Sequence, residues 1–453
     1  MVKIGLEIHG YINTNEKLFC RCRAQHGLKF SKPNTNICPV CTSQPGSKPM
    51  LPNKTAIDKA IQIGLILKCK INSKFIWQRK HYDWPDLPKG YQDTVSGGHA
   101  IPIGEKGEFL GIRIREAHLE EDPAAWNPKT GEIDYNRSGL PLIEIVTEPD
   151  FSSSQQVIDW LKQLVITLGY IKTLDKSAGI KADVNISLPE LNGKRIEVKN
   201  VNSLKNIKAL IEIEIERQKS DTPKIQETRM FDEAKGITIK MREKEQTDDY
   251  RFISDPDLPV VIIKQSRIEK IKSAIPETPF EKLQRLIKKY NIEKKSAEVL
   301  TKKLEIVEFF EKIVEKVNAK LAVPWVTIEL LSVLNYNKKE LDEVDISPEH
   351  FIELLKLVEN KKITELKAKD ILRKFIPKSF SPLKEAEKQG KISSENELEK
   401  ICRLVLSENP KAIQDYKEGK QESLHFLIGK IMQKTNKRAD FKTTREILER
   451  ILK

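Results

Sequence analysis

Lys3-Ile-Gly-Leu-Glu-Ile-His9 opens the chain on an alternation of apolar and polar residues. In an extended segment Leu6 and Ile8 point one way, into a core, and Glu7 and His9 point the other. A carboxylate and an imidazole projecting together from a rigid strand can hold a metal ion or a phosphate. On the pair alone, a solvated polar face is the simpler reading.

The same pattern recurs downstream. Gly111 to Ile114, Leu142 to Val146, Asp183 to Leu188 and Arg195 to Val198 are short apolar runs with strand-like alternation. Helices interrupt them. Ser153 followed by Gln156 is a capping box ahead of Val157, Trp160, Leu161, Leu164 and Leu168, and residues 204–218 form a charged second helix. Strands and helices in this irregular order predict an α+β fold. Prolines 256, 259, 276 and 279 mark a boundary, after which the chain turns helical and rich in Lys, Glu and Leu. A second break lies near 377–393. Thr443 and Glu446 read as the capping box of a last helix with an Ile447, Leu448, Ile451, Leu452 stripe. The resulting division is 1–270, 271–385 and 386–453.

Composition narrows the class. The chain has 453 residues, 39% hydrophobic and 32% charged, which excludes a wholly disordered protein. Its longest apolar stretches, such as Ile61 to Leu67, fall short of the roughly 20 residues of a membrane span. No charged-then-apolar leader opens it, so a soluble, cytoplasmic protein is expected. The net charge of +13 is unevenly spread: residues 1–100 carry 15 basic and 6 acidic groups, residues 101–150 carry 5 and 11, and residues 351–453 carry 24 and 16. Charge alone leaves a solvated face and a nucleic-acid partner both open.

The acidic island holds His118-Leu-Glu120-Glu121-Asp122 and Pro141-Leu-Ile-Glu144-Ile-Val-Thr-Glu148-Pro-Asp150. Carboxylates in so apolar a strand are costly unless paired or bound to a cation. Oxygen ligands of this kind suit Mg²⁺ carrying a nucleotide's phosphates. On an extended segment Glu144 and Glu148 share a face, whereas Glu120 and Glu121 do not, so one of the latter is the direct ligand.

Cys20-Arg-Cys22 and Cys38-Pro-Val-Cys41 have the spacing of a tetrahedral thiolate zinc site. Disulfides are the alternative, but they belong to secreted chains. With sulfur at every position the metal would be structural. Cys69 and Cys402 stand alone and read as ordinary buried residues. The segment Phe75 to Gln92 interleaves Arg79, Lys80, Tyr82, Trp84 and Lys89, a mixture that serves either phosphate and base binding or hydrophobic packing. Further polar strings are Asp183-Val-Asn185, Glu197-Val-Lys199, Glu227-Thr-Arg229, Met241-Arg242 and Asp249-Tyr-Arg251, each weak by itself. There is no phosphate-binding Gly-rich loop, no G-x-G-x-x-G after a strand and no G-x-S-x-G elbow.

Taken in order, Gly5-Leu-Glu-Ile-His9, the four cysteines, Arg79-Lys80, Pro85-Asp-Leu-Pro-Lys-Gly-Tyr-Gln92, His118 to Asp122, Asp134-Tyr-Asn-Arg137, Pro141 to Asp150, Asp183 to Ser187, Glu197 to Ser203, Gln226 to Arg229, Phe231 to Gly236, Asp249-Tyr-Arg251 and Phe426 to Met432 resemble one family. It is the B subunit of the aspartyl/glutamyl-tRNA amidotransferase, GatB of the GatCAB complex. The resemblance implies a carbon–nitrogen ligase that amidates Glu-tRNA(Gln) or Asp-tRNA(Asn), with ATP and Mg²⁺ activating the carboxylate. Ammonia would come from glutamine on the separate A subunit, the amidase, within a heterotrimer that includes the small C subunit. It also implies an antiparallel cradle similar to glutamine synthetase and guanidino kinases, an all-α domain, and a tail similar to YqeY that holds tRNA.

By the same resemblance Glu7, His9, Glu121 and Glu144 are expected as metal–phosphate ligands, with Glu120 and Glu148 close by. Arg79, Lys80, Tyr82 and Lys199 are candidates for the nucleotide or aminoacyl end, and Cys20, Cys22, Cys38 and Cys41 for a Zn²⁺ knuckle. The chain departs from the family at Pro123-Ala-Ala125, Asp93-Thr-Val95 and Asn436 to Asp440. A non-catalytic tRNA-binding scaffold is the competing reading.

Overall fold

The computed structural model describes residues 2–24, 32–175, 179–243, 250–388 and 395–452. Asp249 of the 249–251 string and part of the 377–393 break lie outside the described residues. The chain divides into two compact units, Met1–Thr278 and Pro279–Lys453. The first is rich in sheet and the second is helical.

The first unit is built on a 12-stranded sheet. Along its main path run Ile237–Glu243, Glu227–Asp232, Ile196–Val201, Ile180–Ser187, Lys3–Tyr11, Pro141–Thr147, Ile112–Glu121, Gln92–Thr94, Gln78–His81 and Arg251–Ser254. Neighbours on this path are antiparallel except Ile196–Val201 beside Glu227–Asp232, which run parallel. The opening strand thus lies in the middle of the sheet.

Alternation sorts the two faces. Leu6, Ile8, Leu119, Ile143, Ile145, Ala182, Val184 and Val198 are buried in one core with Ile61 of helix Lys54–Ile66, Trp160 and Leu164 of helix Ser154–Tyr170, and Leu210 of helix Leu204–Ser220. Each large apolar side chain among them contributes about 1.5–3 kcal/mol by leaving water. Ser153 caps the second of these helices by accepting from the Gln156 amide, while the Gln156 side chain accepts from the Ser152 amide at 2.9 Å. Trp160 donates its indole N–H to Phe109 O at 2.7 Å, so its bulk is buried with its polar atom satisfied.

Register then places the opposite face. His9 pairs with Glu144 and Lys181, and Glu144 pairs with His118. Glu7 pairs with Asp183, and Asn185 with Glu197. Direct cross-strand partners lie on the same side of a sheet, so these side chains share one floor.

In the second unit, helices Glu395–Glu408, Pro410–Lys417, Gln421–Lys434 and Phe441–Leu452 enclose Leu398, Cys402, Val405, Leu427, Ile431 and Leu448. Cys402 is an ordinary buried residue here, and Cys69 is one in the first unit. The last helix begins before Thr443: Asp440 accepts from the Thr443 amide at 3.0 Å, so the carboxylate and not Thr443 caps it. Among the described residues, no helix is long and apolar enough to cross a membrane.

Candidate functional site

The polar floor gathers its ionisable groups into two adjoining sets. In the first, a ligand atom each of His9, Glu120 and Glu144 lie within 4.8 Å of one another. His9 Nε2 is 3.2 Å from Glu144 Oε2, and His118 Nε2 is 3.1 Å from the same oxygen. Burial by itself pushes the Glu144 carboxyl up, but the two imidazoles outweigh it and hold it well below the usual range. Burial lowers both imidazoles, and the carboxylates around them, Glu144 foremost, reverse this, raising His9 to about 9 and His118 to about 10. Glu120 is raised, first by burial and then by Glu144.

In the second set, a carboxylate oxygen each of Glu7, Asp183 and Glu197 come equally close. Asn185 donates to Glu7 Oε1 at 3.0 Å. Lys199 lies 2.8 Å from Glu197 and 3.1 Å from Asp183. Burial and the charges of Glu144, Glu197 and Asp183 raise Glu7, a shift that Lys199 moderates.

Two cations and three phenols border the floor. Lys80 lies over the Tyr250 ring at 4.8 Å, and Tyr82 meets that ring edge-on at 6.0 Å. Burial opposes the charge on Lys80, and Glu120 and Glu144 restore it beyond its usual value. Tyr82 is raised, chiefly by burial and then by Asp86 and Glu120. Tyr11 donates to Asp122 at 2.7 Å, and Arg137 pairs with the same carboxylate at 2.7 Å.

These residues fit a divalent cation. Glu120 Oε2 and Asn185 Oδ1 are buried with no hydrogen-bond partner among the described residues, although each sits within the floor. Such atoms are costly unless something else meets them. Carboxylate oxygens are also the donors that hard, oxygen-seeking cations take alongside water and phosphate, whereas imidazole suits transition metals better.

Several expected residues lie elsewhere. Glu121 follows Ala117 and Leu119 onto the core side of the strand, where Lys89 pairs with it at 2.5 Å and with Asp93. It accepts from the Asp93 amide at 3.0 Å. Period-two alternation therefore puts Glu120, not Glu121, beside His9 and Glu144. Glu148 lies past a register shift between Val146 and Thr147, which ends the alternation that would have aligned it with Glu144. It pairs instead with the exposed Arg115 at 3.1 Å. Arg79 alternates away from Lys80 and pairs with Asp255 and Asp257, both at 2.7 Å.

Reasoning from sequence does not single out His118, Asp183 and Glu197 as ligands. The signal that could find them is the alternation itself: His118 and Glu120, Asp183 and Asn185, Glu197 and Lys199 each share a face.

The four cysteines converge. Their Sγ atoms lie within 4.8 Å of one another, and Cys38 and Cys41 are 3.9 Å apart at sulfur. A disulfide needs about 2.05 Å, whereas zinc–sulfur bonds of about 2.3 Å in a tetrahedron set sulfurs about 3.8 Å apart. None of the four is in a disulfide, and the Cys38 amide donates to Cys41 Sγ at 3.2 Å. A hydrogen bond from Cys20 lowers Cys41 to about 5, against the effect of burial and with help from Lys17.

The GatB/GatE catalytic domain matches residues 2–269, more than half of the chain, and the GatB domain matches residues 308–452. The chain belongs to the GatB/GatE family. It is 42% identical to the B subunit of the aspartyl/glutamyl-tRNA(Asn/Gln) amidotransferase of Methanopyrus kandleri, over 99% of this chain and 98% of that one. The corresponding proteins of Methanocaldococcus jannaschii and Methanothermobacter thermautotrophicus are also 42% identical, over 99% of this chain and 97% and 99% of theirs. The identity spans both family domains, so the likeness covers the sheet unit and the helical unit alike.

Proposed function

We propose that this chain is the B subunit of a tRNA-dependent amidotransferase that converts Glu-tRNA(Gln) to Gln-tRNA(Gln), Asp-tRNA(Asn) to Asn-tRNA(Asn), or both. The observation that carries this reading is the pair of adjoining ligand sets on one sheet face, His9/Glu120/Glu144 and Glu7/Asp183/Glu197. A carboxylate is a poor electrophile toward ammonia and must first be activated. ATP with Mg²⁺ supplies that activation when bound, by transferring a phosphoryl group to the carboxylate.

The chain's own residues do the rest. The two ligand sets hold divalent cations, and the buried floor keeps water from the activated acid. Lys80 and Lys199 offer positive charge to phosphate oxygens, and Tyr82 flanks them. Ammonia attacks the activated carbonyl carbon, and phosphate leaves. In this reading glutamine is hydrolysed on the amidase, the A subunit, and ammonia is channelled here. The small C subunit is the third member of the heterotrimer, which works in the cytoplasm.

The sheet unit, taken as residues 1–270, is the catalytic cradle of the glutamine synthetase and guanidino kinase type. Residues 271–385 are a helical domain, and residues 386–453 a YqeY-like tail that binds the tRNA body. The thiolate knuckle holds a structural Zn²⁺.

The test is amidation of each labelled mischarged tRNA by the reconstituted complex with ammonia and ATP. Glu7→Ala and Glu144→Ala should abolish turnover while tRNA binding persists. Unchanged turnover in both variants overturns the catalytic assignment.

A further inference from the structure

Lys17 is 1% exposed, among the largest fully buried side chains of the molecule. Its ammonium donates to Asn36 O at 3.1 Å, to Tyr135 O at 3.3 Å and to Cys41 Sγ at 3.5 Å. Among the described residues, no carboxylate lies within ion-pair distance of it. A buried ammonium needs an anion, because carbonyl dipoles only partly replace the water it has lost. The sole candidate among its contacts is sulfur. Four neutral thiols would leave the lysine without a counter-charge. Four thiolates around a divalent cation carry a net charge of about −2, in excess of what the metal cancels.

We propose that Lys17 is the counter-cation of the four-thiolate metal site, neutralising part of that excess and clamping the site to the chain around it. The inference rests on the zinc reading above. The clamp is visible in the contacts. Asn36 precedes Cys38, and Tyr135 belongs to the segment that leads into strand Pro141–Thr147. Ser138 Oγ donates to Cys41 O at 2.8 Å, and the Leu18 amide donates to Gly139 O at 2.8 Å. Gly139 has φ +80°, with Cys41 Cβ 3.8 Å and Lys17 Cδ 3.9 Å from where a side chain would begin. Lys17 is thus a positioning residue that joins the metal knuckle to the turn ahead of Glu144.

The experiment compares full-length wild-type chain with Lys17→Gln, which keeps donors for the carbonyls and loses the charge. Zinc affinity is read by chelator competition, and cobalt-substituted protein by its sulfur-to-metal charge-transfer bands. The variant should bind zinc about tenfold more weakly or worse. Its bands should move to lower energy, since thiolate electrons are less stabilised without the cation. A second measurement needs no variant: acylation of Lys17, followed by mass spectrometry, should be slow in zinc-loaded wild type and fast after chelation. Equal affinity with unshifted bands overturns the assignment, as does equal acylation with and without zinc. A wild-type chain that takes up no zinc fails the metal reading itself.

Discussion

The thiolate knuckle and the floor of the sheet are both places where a cation fits, and they differ in every respect that separates a rivet from a workbench. In the knuckle every donor is sulfur, the four sulfurs lie within 4.8 Å of one another, and a buried lysine donates to one of them. On the floor the donors are oxygen and imidazole, held by strands that run through the core, and Glu120 Oε2 and Asn185 Oδ1 have no hydrogen-bond partner among the described residues. The first arrangement is complete in itself. The second is unfinished, and unfinished polar groups in a rigid frame are what a changing ligand needs.

The largest expected effect tests the floor. Glu144→Ala should lower amidation by on the order of a hundredfold or more, because it removes the carboxylate that both imidazoles address. The check is turnover of labelled Glu-tRNA with ammonia and ATP. Cys38→Ser should lose zinc, seen by elemental analysis, and lower the melting temperature by about 2–4 °C for each kcal/mol lost. Its turnover should fall less than that of Glu144→Ala. The opposite ranking would break the contrast between the two sites.

A smaller effect concerns pH. In chelator-treated protein the Glu144–His118 pair should stabilise most between about pH 4.5 and 6.5. Glu144 is depressed when folded, so its contribution is lost as pH falls through that folded value. His118 is raised to about 10, so its contribution is full below its unfolded value and fades as pH rises through about 10. The difference in melting temperature between wild type and His118→Gln should therefore be greatest in that interval and vanish at alkaline pH. A difference that grew toward pH 10 would contradict the pairing.

The smallest effect is Glu148→Ala. Its partner Arg115 is exposed, and such surface pairs contribute about 0.2–1 kcal/mol. Melting temperature and turnover should stay near wild type; a loss like that of Glu144→Ala would place Glu148 with the ligands after all.

Much of this is legible in the residues. Alternation in Lys3 to His9 places Glu7 and His9 together and Leu6 and Ile8 in the core, as the sheet has them. Cysteine spacing alone groups four sulfurs that the fold also brings together. What alternation within a strand cannot supply is the pairing between strands. Glu120 and Glu121 are adjacent in the chain, and only the neighbouring strand's register shows which one meets Glu144. Glu148 is misaligned because a register shift interrupts the period, and nothing in Val146-Thr147 announces it. Asp183 and Glu197 reach Glu7 only through two further strand pairings, so no local pattern could join them.

The place of the opening strand has one more consequence. Lys3–Tyr11 is synthesised well before its sheet neighbours, Pro141–Thr147 and Ile180–Ser187. The middle of the sheet must wait for its flanks to be synthesised, with apolar Leu6 and Ile8 exposed meanwhile. At about 5–20 residues per second that interval lasts on the order of ten seconds or more. The first ligand set has all its residues once Glu144 has emerged and the second only once Glu197 has, so a nascent chain lacks the second set until most of its first unit exists.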